Sequence, residues 1–211
     1  MNAMNDVVLS RRQLLKGAGA VGVLGALGIP TEVFADDNKV RWDIINVDFS
    51  SGTLSAGGIA SARANDNSKI TLTGSGTFGA GDEGRAKGGG MWNSFGPTPT
   101  PTGTGAPTGS GTYKTTGLVS WMPAPGKPPL PNDNIGVRAN QSAGLAVLKI
   151  RYSDGSRGML TVSCHLVGTS DAVFEGITAT KGYIDYWNKE SPPAPPGNAD
   201  RTNFHIMPGE D

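Results

Sequence analysis

Two histidines, His165 and His205, and one cysteine, Cys164, bound the chemistry open to this chain of 211 residues. Cys164 and His165 are neighbours in a strand-like run, and neighbouring strand residues point to opposite faces. They are therefore not expected to share a metal ion or to act as a thiol–imidazole couple. No C-x-x-C, H-x-x-x-H, H-E-x-x-H or G-x-S-x-G spacing is present, so the expectation is no metal site, no cofactor and no serine-nucleophile elbow. Gly74-Ser75-Gly76 and Gly88-Gly89-Gly90 do not open a helix, which removes a phosphate cradle.

A softer constellation remains. Thr161, Ser163 and His165 lie at period two on one strand face, as do Tyr183, Asp185 and Trp187. Glu175, in Val173-Phe174-Glu175-Gly176-Ile177, shares a face with Val173 and Ile177. A carboxyl facing an apolar lumen titrates high and can give or take a proton near neutrality. Glu175, His165 and Tyr183 are the candidate catalytic groups. Trp42, Trp121 and Trp187, with Thr161 and Ser163, are the candidate ligand contacts, because aromatic rings in a barrel lumen can grip a flat apolar molecule. Trp92 completes the four tryptophans, and the competing expectation is that such rings plug the barrel ends.

The elements that must position these groups are strands. No stretch keeps a helical period, whereas alternating and β-branched runs recur between glycines. Strands are expected near 40–49, 69–78, 89–95, 111–122, 142–152, 156–167, 173–181 with 183–187, and 203–207. That pattern predicts an all-β domain, an antiparallel barrel of about eight strands or else a β-sandwich. Charged residues make up 17% against 36% apolar, with 18 basic and 18 acidic groups. Balanced charge excludes a nucleic-acid footprint, and low charge with ordinary apolar content argues for folding. Among the 32 glycines and 15 prolines, many prolines fall in three stiff connections at 97–109, 123–131 and 192–197, where the missing N–H bars a sheet ladder.

One hairpin is defined in detail. Residues 145–152 run through Ser153-Asp154-Gly155-Ser156 into 157–166, and Asp-Gly predicts a two-residue type I′ turn. That register sets Ile150 against Met159, Leu148 against Thr161 and Ala146 against Ser163, with Val147 against Val162 and Leu145 against Cys164 on the other face. Both faces then read as apolar. A covering surface is expected, supplied by a second copy of the chain or by a partner protein.

The N-terminus resembles a twin-arginine (Tat) export signal. Arg11-Arg12 sit in a basic segment, an apolar Gly/Ala-rich stretch covers 17–29, and Val33-Phe34-Ala35 ends in small residues at the −3 and −1 places of a cleavage site. The stretch is too short for a membrane span, which needs about 20 apolar residues. Residues 1–35 are thus expected to be a cleaved signal, leaving a single domain over 36–211. The resemblance implies engagement of the Tat export machinery and a periplasmic or secreted destination.

Three further stretches, Ile70–Phe78, Gly109–Tyr113 and Val173–Gly182, resemble the glycine-rich strands of the allene oxide cyclase and dirigent barrel superfamily. The resemblance implies an antiparallel barrel, often trimeric, whose lumen binds a lipid or phenolic intermediate. The functional expectation is an exported barrel that binds a small apolar or phenolic ligand in its lumen and steers or isomerises it. The alternative is a non-catalytic accessory subunit of a periplasmic enzyme. Whether the protein catalyses or only binds is left open by the sequence.

Overall fold

The computed structural model describes residues 38–81, 85–190 and 200–207. The signal segment 1–35 and the proline-rich stretch 192–197 lie outside the described residues. The strands are β1 (Lys39–Asp48), β2 (Thr53–Ala56), β3 (Ala60–Arg63), β4 (Lys69–Leu72), β5 (Ser75–Gly79), β6 (Ala86–Phe95) and β7 (Pro107–Ala124). They continue as β8 (Asn132–Asp133), β9 (Gln141–Tyr152), β10 (Arg157–Cys164), β11 (Gly176–Lys181), β12 (Ile184–Tyr186), β13 (Asn188–Glu190) and β14 (Arg201–Met207), with a 3-10 turn at Arg138–Asn140.

The antiparallel barrel expected from the alternation forms. Six strands close the ring in the order β9-β14-β1-β5-β6-β7 and back to β9. From β6 the sheet extends through β4 and β3 to β13, and from β9 through β10 and β11 to β12. The short β2 continues the edge of β1 and pairs in parallel with β8. Pro107 opens β7, a position that needs no ladder N–H, so the last residues of the Pro/Thr/Gly tract belong to a strand.

Alternate residues from Val40 to Ile44 of β1 fill the lumen, whereas Asn46 and Asp48 at its end are exposed. Val40, Trp42 and Ile44 pack with Phe78, Leu148, Ile150, Tyr152, Leu160, Val162 and Phe204 in one buried core. Trp42 fits because β5 carries Gly76 beside it: a Cβ there would lie 2.7 Å from the indole Nε1 and 2.1 Å from the Lys87 carbonyl oxygen. Trp121 closes on Phe204 and Phe78, with ring centroids at 4.5 and 5.5 Å. Side chains occupy the barrel interior, as in other small barrels.

The hairpin register differs from the expected one by one residue. Leu148 pairs with Leu160, Ala146 with Val162, and Val147 with Thr161. Only Gly155 has positive φ, +88°, and Asp154 does not. Tyr152 N–H donates to the Ser156 carbonyl and Gly155 N–H to that of Tyr152. This is a three-residue loop whose last residue is left-handed, not a two-residue type I′ turn. A one-residue slip exchanges the faces of one strand relative to the other. Ala146, Leu148, Ile150, Leu160, Val162 and Cys164 all face the core, while Lys149, Arg151 and Arg157 face solvent. In this register the core face is apolar, and the outer face mixes exposed Lys149, Arg151 and Arg157 with half-buried Leu145, Val147 and Met159, so the second face is only partly apolar.

Candidate functional site

The odd-numbered residues of β1 and β14 face outward, beneath the segment 127–141. Ile45, Val47 and Leu54 meet Leu130 and Ile135 there in a second, smaller apolar cluster. Between this cluster and the chain around 165–175 runs a narrow cleft of about 70 Å³. Apolar walls come from Ile45, Val47, Leu54, Leu130 and Leu166, and polar groups from Gln141, His165, Glu175, Arg201 and Asn203.

Glu175 sits just before β11. Gly176 follows with φ +117°, and the kink breaks the alternation that would have placed Glu175 on the face of Ile177. The carboxylate faces the outer cleft, not the lumen. Both of its oxygens are held: Oε2 accepts His165 N–H at 2.6 Å and Oε1 accepts Thr202 N–H at 2.7 Å. Burial pushes its pKa from 4.5 up to about 7, against the pull of those two N–H donors, the Arg201 charge and the Thr202 hydroxyl. A carboxyl poised there exchanges a proton readily at neutral pH.

His165 lines the same cleft, but its ring is committed, with Nδ1 at 2.7 Å from the Val173 carbonyl oxygen. Its contribution to Glu175 is through the backbone. Tyr183 is 99% exposed in the turn between β11 and β12 and does not line the cleft, so the third candidate is removed from the set. Trp42 is wholly buried in the lumen, Trp121 packs at its end, and Trp187 is half exposed and donates to Asn65 Oδ1 at 2.9 Å. Ser163 is buried and donates to the Phe174 carbonyl oxygen, whereas Thr161 lies on the outer face. None of these five lines the cleft. Cys164 points into the core, where burial holds its thiol well above the ordinary range.

Behind the cleft lies a polar cluster that sequence reasoning missed. Asp133 Oδ2 accepts from His205 Nε2 at 2.7 Å and from Gln141 Nε2 at 2.5 Å, while Oδ1 accepts the N–H groups of Ile135 and Gly136. Burial raises the Asp133 carboxyl and these donors outweigh it, so it titrates below the ordinary carboxylate range. Gly136 is needed for this contact, since a Cβ there would lie 2.8 Å from the imidazole. Arg41 and Asp43 form a two-point pair nearby, each contact 2.8 Å. The one local signal was period two in β14, where Asn203 and His205 alternate with Phe204 and Ile206. The partner of His205, Asp133, is 72 residues away in sequence.

A second, larger groove of about 430 Å³ opens at Trp92, Ser94, Thr108, Asp154, Lys181 and Tyr186. There the Lys181 ammonium lies 4.3 Å from the Trp92 ring centroid and is paired with Asp154. Its charge and the ring face are already engaged. Among the described residues no three of His, Cys, Asp and Glu come together as a metal site, and no helix is long and apolar enough to cross a membrane.

Fold and cleft define a β-barrel with a part-buried carboxyl, Glu175, on its outer face. Residues 8–28 match the TAT (twin-arginine translocation) pathway signal sequence, so the chain is addressed to Tat export, with a periplasmic or secreted destination. No curated protein and no solved structure matches the chain. The likeness to the allene oxide cyclase and dirigent barrels therefore rests on its sequence pattern.

Proposed function

We propose that this is an exported small-molecule-binding barrel whose ligand lies in the outer cleft, with its apolar body against Ile45, Val47, Leu54 and Leu130 and a polar group at Glu175. The observation that carries this reading is the Glu175 carboxyl, which is buried among apolar walls, pinned by two backbone N–H groups and raised to about 7. Apolar walls with a few polar groups among them are the make-up of a ligand pocket, and at about 70 Å³ the cleft takes a small ligand or one end of a larger one. A carboxyl that changes charge near neutrality supplies the acid or base that steering or isomerising a ligand would use. The superfamily resemblance implies the same class of ligand, a lipid or phenolic molecule. Since side chains fill the lumen, the cleft takes the place the lumen held in that expectation.

Calorimetric titration of fatty acids, terpenes and phenols into the protein and into Leu130→Trp tests this. Binding that the tryptophan abolishes supports the cleft. Binding unaffected by it, or none across the panel, overturns it.

A second reading, an accessory subunit, draws on a different observation. Met122 is 66% exposed on β7 and pairs with the half-buried Leu145, beside Val147 on the same outer face. This leaves an apolar strip on which a partner protein or a second copy could dock. Light scattering of the purified protein, and of Met122→Lys, separates the two: an assembly that the lysine dissolves supports this reading.

A further inference from the structure

Resting on the cleft as the ligand site, the polar atoms of its lining point to the chemistry of the ligand's head. Gln141 and Asn203 are both more than nine-tenths buried and both line the cleft. The Gln141 carboxamide has its orientation fixed, because its NH₂ must face the Asp133 carboxylate that accepts it. Its Oε1 is left with no donor, and Asn203 Oδ1 has none in the amide orientation that sets its NH₂ 3.5 Å from His205 Nε2. Buried acceptors without partners cost about 1–3 kcal/mol each, so such atoms normally mark a place for a bound donor. Glu175 adds its carboxylate: Oε1 already holds the Thr202 N–H and, at 3.4 Å, the Thr202 hydroxyl, whereas Oε2 holds only the His165 N–H and retains a second lone pair. Arg201 also lines the cleft; it is exposed, its guanidinium lies 5.6 Å from the Phe49 ring centroid, and its charge favours the ionised form of Glu175. Gln141, Asn203 and Glu175 present acceptors, and the apolar part of the lining is aliphatic.

We propose that the part of the cleft lined by Gln141, Asn203 and Glu175 is a primary-ammonium site. Gln141 Oε1, Asn203 Oδ1 and the Glu175 carboxylate take the three N–H donors of an aliphatic amine, and its chain lies along Ile45, Val47, Leu54 and Leu130. An ammonium matches these acceptors in donor count, and it brings a charge opposite to that of Glu175, the one carboxylate among the described lining residues. An alcohol brings one donor, and a carboxylate brings none and adds a like charge.

The test is a nuclear magnetic resonance titration of the full chain with propylammonium, 1-propanol and propionate at about pH 8, where the amine is charged and Glu175 ionised. Propylammonium is expected to move the side-chain amide signals of Gln141 and Asn203 and the backbone amides of His165 and Thr202. It should bind at least about tenfold more tightly than the alcohol, the margin of one charge-assisted hydrogen bond. Glu175→Gln, which keeps the shape and removes the charge, should bring the two within about threefold. If the variant does not fold, the three-ligand comparison on the native chain decides alone. Equal binding of all three, or tightest binding of propionate, overturns the ammonium site and leaves the cleft standing. Failure of every ligand to move the cleft amides overturns both.

Discussion

Replacing Glu175 by glutamine isolates the titration on which the functional reading depends. A carboxyl held at about 7 when folded and at 4.5 when free binds more protons in the folded chain between those two values. Stability therefore falls as pH rises through that window, full below about 4.5 and lost above about 7. At about 1.4 kcal/mol per pH unit, the gap amounts to about 3 kcal/mol. Glutamine carries no such titration. It offers only one acceptor to the two backbone donors that hold Glu175, so one N–H loses its partner at a cost of about 1–3 kcal/mol. The native chain should be the more stable of the two at pH 5. The difference should shrink by about 3 kcal/mol by pH 8.5 and reach zero or reverse. Urea unfolding followed by circular dichroism at half-unit pH steps measures both chains. Parallel stability curves across this range would show that Glu175 titrates as an ordinary surface carboxyl, and would refute the buried, poised acid.

Three further outcomes follow from the same coordinates. Asp133→Ala removes the acceptor for four donors and should cost about 3 kcal/mol in urea unfolding, with faster amide exchange confined to residues 127–141. Gly155→Ala has no side-chain neighbour within 4 Å, so its effect is purely that of the left-handed backbone, about 1 kcal/mol of destabilisation by thermal unfolding. Leu148→Ala, wholly buried in the lumen, should cost about 2–5 kcal/mol, whereas Lys149→Ala, exposed beside it, should fall within about 0.5 kcal/mol of the native chain.

Local pattern made the barrel legible. Alternation in 142–152 and 111–122, and glycines that end each run, are enough to predict strands and an all-β fold. The short β2 and β3 were not foreseen, because four-residue strands such as Ala60–Arg63 are too brief to show a period and owe their pairing to neighbours. The hairpin turned on one residue. Asp154-Gly155 is compatible with a type I′ turn and with a three-residue loop, and only the tertiary fit of Leu148 against Leu160 selects the second. Glu175 was visible as a carboxyl among apolar residues, yet the kink at Gly176 decides which side of the sheet receives it. Asp133, Gln141 and His205 were invisible as a cluster, since barrel closure brings β9 to β14 and the pairing of β8 with β2 brings Asp133 to them.

The most direct measurement is the pH titration of the Glu175 side-chain carboxyl by carbon-13 resonance, in the free protein and with a cleft ligand bound. A midpoint near 7 in the free protein, displaced when the ligand saturates the cleft, is the expected result. A midpoint near the ordinary 4.5 that no ligand moves would contradict the assignment of this cleft as the functional site.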